Sequence, residues 1–122
     1  MEVTYHPSAR SELQQLRASD KGEYNALQVA IEKLRLFGDL LSYPHTSVVK
    51  GAAKLRELRP RGGRSRQRAF YRRIGDVIVV GAIGPEAETD PSGFRRAIRL
   101  AEEHLDQVEK AGTLSNEADR AD

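Results

Sequence analysis

Residues 68–84, RAFYRRIGDVIVVGAIG, decide the fold. In the first part of this stretch, apolar residues alternate with others, and Phe70 and Ile74 share one face of an extended chain. Gly75-Asp76 predicts a tight hairpin turn. The continuous apolar run at 77–83 is typical of a strand that is buried on both faces. The stretch therefore predicts two antiparallel strands in the middle of a sheet.

Two helices are predicted before these strands. Pro7 is suited to the first position of a helix, and apolar residues at helical spacing follow it to about residue 19. Asp20 and Glu23 have the form of a capping box in front of a second helix. A long apolar stripe at helical spacing supports this second helix. The helix is expected to end before Tyr43-Pro44, because the residue before a proline disfavours helical backbone angles.

The remaining segments complete an α+β fold. We interpret residues 45–54 as a loop and residues 55–59 as a further strand, and a third helix begins with an N-cap before Pro91. Residues 111–122 have little to bury and are expected to form a disordered tail. Residues 1–110 are therefore predicted to form one domain. Its two N-terminal helices and C-terminal helix are expected to pack on one face of a small antiparallel sheet of three or four strands.

Positive charge is concentrated in residues 55–76. Eight arginines against two acidic residues give this segment a formal charge of +6, whereas the rest of the chain has 12 basic and 16 acidic residues, a formal charge of −4. Such a patch favours binding of a polyanion or an acidic protein. Arginine also suits phosphate, because its planar fork donates two parallel hydrogen bonds. The alternative is that basic residues merely keep exposed strand edges from aggregating.

The composition excludes several other classes of function. The chain has no cysteine, so neither a disulfide framework nor a thiolate site is available. His6, His45 and His104 do not have metal-ligand spacing, so we expect no metal and no cofactor, and His45 is kept as a faint catalytic candidate. The longest apolar run, residues 77–83, is too short to span a membrane. We expect a soluble, cytoplasmic protein.

The arginines of the second predicted strand fall on two faces. Arg66, Arg68 and Arg72 share one face by alternation, and Arg73 shares the other with Tyr71. This pattern suits a surface that follows a nucleic-acid backbone. The tyrosine could stack on an unpaired base or transfer a proton, or it could be a core aromatic residue with its hydroxyl at the rim.

These segments carry a resemblance to a known family. Two helices, then LRELR at 55–59, RAFYRRIGDVIVVGAIG at 68–84 and a helix beginning DPSGFRRA at 90–97 resemble the RelE/ParE toxin superfamily, and especially its HigB-like, phage-derived branch. The resemblance covers about residues 3–108.

The resemblance implies a function and partners. It implies the toxin of a type II toxin–antitoxin system, a ribosome-dependent mRNA endoribonuclease in which the RNA 2′-hydroxyl attacks the adjacent phosphate without a metal. The implied partners are a cognate antitoxin of the helix-turn-helix kind, the ribosome and messenger RNA. Members of the ParE kind act instead on DNA gyrase, and the arginine-rich sheet argues mildly against that activity here.

The resemblance also implies the site residues. Arg68 matches the second-strand arginine that stabilises the phosphate, and with Arg59 and Tyr71 it forms the expected catalytic set. The residues expected to contact RNA are Lys54, Arg56, Arg66, Arg72 and Arg73.

Two positions depart from the family pattern. Where related toxins have a basic residue after the last strand, this chain has Pro85 and Glu86, and where they have a tyrosine near the start of the last helix it has Phe94. One hypothesis is that Glu86 or Glu88 acts as the base in a rearranged site. The other is that nuclease activity is weak or absent and the chain is a non-catalytic module that binds RNA, DNA or a protein.

Overall fold

The computed structural model describes the backbone of residues 1–121 and the side chains of residues 1–112. Five strands and three helices alternate in the order βααββββα, with short 3₁₀ turns at Gly38–Leu40 and Pro60–Gly63. The elements are β1 Glu2–Tyr5, α1 Pro7–Ser19, α2 Lys21–Phe37, β2 Thr46–Val49, β3 Ala52–Leu58, β4 Gln67–Ile74, β5 Val77–Pro85 and α3 Pro91–Ala121.

The first two helices begin where the sequence predicts them. The Nδ1 atom of His6 accepts a hydrogen bond from Ser8 N, and Pro7 occupies the first turn of α1. The carboxylate of Asp20 accepts a hydrogen bond from Glu23 N at 3.2 Å, which caps α2. These local signals confirm both helix starts.

The predicted α+β class is confirmed, and the sheet is larger than expected. Its strand order is β1-β5-β4-β3-β2, and the β4–β5 hairpin over residues 67–85 forms its middle. β1 pairs with β5 in parallel, and β2 lies within the segment that we interpreted as a loop. Both added strands are edge strands of four residues, too short to produce a clear period in the sequence.

The helices cover both faces of the sheet, so the expectation of a single covered face is wrong. On one face, α1 and α2 pack on Leu58, Ala69 and Val80. On the other, α3 packs on Phe70 and Ala82. The reason is that β4 and β5 are apolar on both sides, and each side must be removed from water.

Close contact between β5 and α3 sets the position of the candidate site. β5 has one extra residue, Gly81, at an irregularity in its pairing with β4. A Cβ atom at Gly81 would lie 2.8 Å from Leu105 Cγ, and one at Gly84 would lie 2.6 Å from Ala97 Cβ. Because glycine allows this approach, the end of β5 lies directly against the start of α3.

Two further findings concern the described residues alone. No helix among them is long and apolar enough to cross a membrane. Neither do they contain a group of three or more histidine, cysteine, aspartate or glutamate side chains that could hold a metal ion. The predicted tail at residues 111–122 falls almost entirely outside the described side chains, so the domain boundary at residue 110 stays a prediction.

Candidate active site

A cleft of about 270 Å³ opens between the end of β3, the turn that follows it, and the loop after β5. We call it the arginine cleft. It contains two of the three predicted catalytic residues, Arg59 and Arg68. It also contains Glu86 and Phe94, at which this chain differs from the toxins that it resembles. Its lining residues are Glu57, Arg59, Gly63, Arg68, Glu86, Ala87, Glu88 and Phe94.

Arg68 is buried in the floor of the cleft, with 3% of its surface exposed. Its Nη1 atom donates to the carbonyl oxygens of Ser65 and Gln67 at 2.5 and 3.1 Å, and its Nη2 atom donates to that of Gly63 at 3.1 Å. Burial lowers the pKa of Arg68, and the carboxylate of Glu57 opposes this effect. Arg68 therefore holds the turn between β3 and β4 while it places a positive charge in the cleft.

One donor of Arg68 is left unused. Its Nε atom is buried and has no hydrogen-bond partner within the described part of the chain. The nearest carboxylate oxygen, Glu57 Oε2, lies 4.0 Å away, which is beyond hydrogen-bond distance. A buried unpaired donor is costly, so this N–H is suited to an oxygen atom supplied by a ligand.

Glu57 lies beside both arginines of the cleft. Its Oε1 atom accepts hydrogen bonds from Arg59 Nη1 at 3.0 Å and from Ser47 Oγ at 3.1 Å. Arg59 is fixed in turn, because its Nε atom donates to Pro44 O at 3.1 Å and its guanidinium lies over the ring of Tyr43. The result is a carboxylate held in a defined orientation between two cations.

The sequence interpretation missed Glu57 as a site residue. It is one of two acidic residues among the eight arginines of residues 55–76, and it lies within a predicted strand. Alternation in LRELR places Glu57 on the face opposite Arg56, whose side chain lies away from the arginine cleft. A single carboxylate in an otherwise basic strand is therefore the sequence feature that could have identified Glu57 as a site residue.

Glu86 is bound into its own loop. Its carboxylate accepts hydrogen bonds from the hydroxyl and the backbone N–H of Thr89, and from Glu88 N at 3.1 Å. These bonds, led by that of the Thr89 side chain, lower the pKa of Glu86. A carboxylate with a lowered pKa is a weaker base, and both of its oxygens already accept hydrogen bonds, so Glu86 is poorly suited to the role of a base.

Phe94 forms an apolar wall of the cleft. Its ring packs edge-on against Phe70, with ring centroids 5.5 Å apart and an interplanar angle of 71°. It lies in the first turn of α3, which is capped as predicted by a hydrogen bond from Gly93 N to Asp90 Oδ1. The position offers no proton for transfer to a leaving group.

Tyr71, the third predicted catalytic residue, does not lie in the arginine cleft. It belongs to the face of the sheet that packs on α1 and α2, opposite the cleft. Its hydroxyl shares a hydrogen bond of 2.7 Å with Thr46 Oγ1, and only 4% of the residue is exposed. The structure thus places this tyrosine as a core aromatic residue with a satisfied hydroxyl.

Two of the predicted RNA-contacting arginines, Arg72 and Arg66, form ion pairs with carboxylates of α3 and at the start of α2. Arg72 is buried and donates to carboxylates of α3, at 2.8 Å to Asp106 and 2.9 Å to Glu109. Arg66 turns towards the start of α2 and pairs with Asp20 at 2.8 Å. Arg66 therefore does not share a surface with Arg68 and Arg72 as alternation had predicted.

The other predicted RNA-contacting residues lie on β3 and at the end of β4. Arg73 pairs with Asp39 on the α2 side of the sheet. The side chain of Lys54 is 72% exposed, and its Nζ lies 4.0 Å from a carboxylate oxygen of Glu109. Arg56 has no ion pair among the described residues. It borders two open cavities that Asp39 and Tyr71 also line. These cations lie outside the arginine cleft.

Comparison with known proteins supports the fold. No family model matches the chain, and no curated protein matches it significantly. A YoeB/ParE toxin from Agrobacterium tumefaciens aligns with a TM-score of 0.56 at 15% identity, covering 70% of this chain and 99% of that one. The YoeB dimer from Staphylococcus aureus gives 0.54 at 14% identity, with 67% and 92% covered.

A third solved structure is a toxin–antitoxin assembly. It is the heterotetrameric YoeB–YefM complex from Staphylococcus aureus, with a TM-score of 0.52 at 13% identity, covering 67% of this chain and 92% of that one. At these identities the likeness shows a shared fold. The finer assignment to the HigB-like branch stays a prediction.

Proposed function

We propose that this chain is the toxin of a type II toxin–antitoxin system and that it cuts messenger RNA on the ribosome in the cytoplasm. The observation that carries the proposal is the arginine cleft, in which Glu57 lies between Arg59 and Arg68 on the fold of the YoeB/ParE toxins. The cognate antitoxin is the expected protein partner, as YefM is for YoeB in the solved complex.

The proposed reaction needs three kinds of group. The RNA 2′-oxygen attacks the adjacent phosphorus while its proton passes to a base. The bond from phosphorus to the 5′-oxygen breaks, and that oxygen takes up a proton, which leaves a 2′,3′-cyclic phosphate and a 5′-hydroxyl end. Cations stabilise the extra negative charge of the transition state.

The cleft offers candidates for the base and the cations. Glu57 Oε1 is held by Arg59 and Ser47, which leaves Oε2 to accept the 2′-hydroxyl proton. Arg59 and Arg68 border the same space and can neutralise charge on the phosphate, in part through the unused Nε–H of Arg68. Phe94 has no proton to give, so in this proposal the 5′-oxygen is protonated by water.

Contacts to the RNA backbone fall to the predicted basic residues outside the cleft. Lys54 and Arg56 have the fewest internal partners among them. The Arg66–Asp20 and Arg73–Asp39 ion pairs are about half exposed, and such pairs contribute little to stability and can exchange for phosphate. Arg66 is the more constrained of the two arginines, because its Nε also lies 3.6 Å from the buried carboxylate of Glu23. Arg72 is buried, and we assign it to the fold rather than to RNA.

A second candidate is a non-catalytic binding module of the same fold. Two observations favour it. The Nη atoms of Arg68 donate to backbone carbonyls, and Phe94, which cannot donate a proton, stands where the toxins that this chain resembles have a tyrosine. On this hypothesis the basic surface binds an RNA, a DNA or a protein without cleaving it.

The deciding experiment is expression of the full chain from a tight promoter in a bacterial host, with mapping of the 5′ ends of cellular messages. We expect new, translation-dependent 5′ ends. Glu57→Gln and Arg59→Ala should each reduce them by about a hundredfold or more, whereas Arg64→Ala should not. Arg64 is a matched control, because it is exposed and donates to a neighbouring carbonyl of its own turn. Intact messages with the wild-type chain would favour the binding module.

A further inference from the structure

An open cavity lies at the edge of the sheet that β2 forms. Its volume is about 590 Å³, and we call it the β2 cavity. Its floor includes Thr46 and Tyr71, which are buried and share a hydrogen bond. The loop that leads into β2 forms one side of the cavity, and β3 contributes Arg56. The catalytic groups proposed above lie outside it.

Tyr43 lies at the rim of the β2 cavity, and 71% of the residue is exposed. One face of its ring contacts Arg59, whose Cζ atom lies 5.2 Å from the ring centroid. This cation–π contact fixes the orientation of the ring. At this degree of exposure the opposite face of the ring is open to solvent. A flat aromatic face presented in this way is a surface on which a nucleobase stacks.

The loop around Tyr43 is held by hydrogen bonds. Arg59 N donates to His45 O at 2.8 Å, and Arg59 Nε donates to Pro44 O at 3.1 Å. Within the loop, His45 N donates to Ser42 O at 2.9 Å. The exposed ring therefore has a defined position before a ligand arrives, and this reduces the conformational entropy that binding costs.

Arg56 places a cation in the same cavity. It is paired in register with Val48 of β2 and with Tyr71 of β4, so its side chain lies on the face of the sheet that carries Tyr71. Arg56 is partly buried, and its guanidinium has neither an ion pair nor a hydrogen bond within the described part of the chain. Such a guanidinium is suited to phosphate, to which it can donate two parallel hydrogen bonds.

We propose that the β2 cavity is a nucleotide-binding subsite, in which Tyr43 stacks on an unpaired RNA base and Arg56 binds a phosphate of the same strand. Arg59 links this subsite to the arginine cleft, because it contacts the ring of Tyr43 and also lines the cleft. An RNA strand whose phosphate lies against Arg59 therefore has a neighbouring base within reach of Tyr43. The base must be unpaired, because in a duplex its faces are covered by the adjacent bases.

The arrangement of ring and cations favours a nucleic acid over a protein ligand. A single strand alternates planar bases with phosphates, and the surface presents the ring of Tyr43 between Arg59 and Arg56. An adjoining cavity shares Arg56 and is lined by Lys54 and Arg73, so cations continue beyond the subsite. Stacking accepts every base, so the subsite sets the register of the strand in the cleft rather than its sequence. The choice of RNA as the ligand rests on the proposed function.

Binding can be measured with oligonucleotides that the chain cannot cut. The probe is a fluorescein-labelled strand of about six 2′-O-methyladenosines, which has no 2′-hydroxyl to attack the phosphate. The comparison strand has the same backbone and no bases. Fluorescence anisotropy with the full chain should show saturable binding of the adenosine strand, at least about tenfold tighter than that of the abasic strand, because stacking on an aromatic ring contributes about that factor.

Variants separate stacking from a supporting role of the ring. Tyr43→Ala should weaken binding of the adenosine strand at least about tenfold and change that of the abasic strand by less than about twofold, whereas Tyr43→Phe keeps the ring and should match the wild type. Arg56→Ala should weaken binding of both strands, because both contain phosphate. Leu40→Ala is a matched control, because Leu40 is 86% exposed, lies in the same segment and does not line the cavity.

Several outcomes would overturn the proposal. They are an absence of saturable binding, equal binding of the two strands by the wild-type chain, and an equal loss with both strands in Tyr43→Ala, since the ring would then act only by holding Arg59. Circular dichroism verifies that each variant is folded, and the comparison of the two strands on the wild-type chain tests the proposal even if Tyr43→Ala is not.

Failure of this proposal is distinguishable from failure of the proposed function. Base-dependent binding without new 5′ ends of messages in cells would contradict the proposed cleavage and leave the subsite standing. New 5′ ends without base-dependent binding would overturn the subsite and leave the proposed cleavage standing.

Discussion

His6, which caps the start of α1, and His104 of α3 stack face to face, with ring centroids 3.9 Å apart and an interplanar angle of 4°. His104 Nδ1 lies 2.8 Å from the carbonyl oxygen of Gly81, at the irregularity in β5. Because a carbonyl only accepts, this nitrogen carries a proton. His6 Nδ1 accepts the N–H of Ser8, so it carries none. The two stacked rings therefore join the start of α1 to β5 and α3.

This arrangement predicts that the protein loses stability in mild acid. Burial, and then the charge of His104, lower the pKa of His6. A base whose pKa is lowered on folding contributes its full stability above the unfolded value of about 6.5, and this contribution is lost as the pH falls below it. Protonation at Nδ1 also removes the acceptor that caps α1. We expect the free energy of unfolding in urea to be lower at pH 5.5 than at pH 7.5.

His6→Asn is the control for this prediction, because asparagine can still cap a helix but does not titrate. Burial raises the pKa of Glu12 in the same region, and this shift stabilises the folded state as the pH falls. Because both proteins contain Glu12, the difference between their pH dependences of the free energy of unfolding is the contribution of His6. A pH dependence of the same size in His6→Asn would contradict the assignment.

Arg68→Ala is predicted to destabilise the fold as well as to abolish activity. The substitution leaves the carbonyl oxygens of Gly63 and Ser65 without their buried donor. We expect a loss of about 2–4 kcal/mol in the free energy of unfolding, measured by urea titration. Arg64→Ala should change it by less than about 0.5 kcal/mol. Equal stabilities of the two variants would show that Arg68 does not hold the turn.

Adjacent arginines on opposite faces of β4 should differ in their contribution to stability. Arg72 is buried and reaches the carboxylates of Asp106 and Glu109, whereas Arg73 pairs with Asp39 at the surface. We expect Arg72→Met to cost about 2 kcal/mol and Arg73→Met less than about 0.5 kcal/mol in thermal or urea unfolding. The reverse order would refute the assignment of Arg72 to the fold.

RNA binding should weaken steeply as salt is added. Each phosphate contact releases a counterion, so the logarithm of the binding constant should fall linearly with the logarithm of the salt concentration. Lys54→Ala should make that slope shallower by about one unit, whereas Lys21→Ala, at the start of α2 and outside the arginine-rich segment, should leave it unchanged. Filter binding of a short single-stranded RNA at several salt concentrations measures the slope for the wild-type chain and for each variant. A flat salt response would exclude a phosphate-tracking surface.

The sequence by itself determined the elements that depend on local interactions. The capping box at Asp20 and the apolar stripe behind it specify α2, and the turn at Gly75-Asp76 specifies the central hairpin, because the groups involved lie within a few residues of one another. Alternation along β4 also placed Arg68 and Tyr71 on opposite faces. These signals sufficed for the α+β class.

Only the tertiary structure decided which side chains meet. β1 and β2 are extended because they pair with the longer strands β5 and β3. α3 covers the second face of the sheet because β5 is apolar on both sides. Glu57 joins Arg59 and Arg68 because β3 pairs with β4, and because the buried guanidinium of Arg68 closes the turn between them. Such contacts join residues distant along the chain, so neither spacing nor composition encodes them, and packing selects them when the apolar faces are buried together.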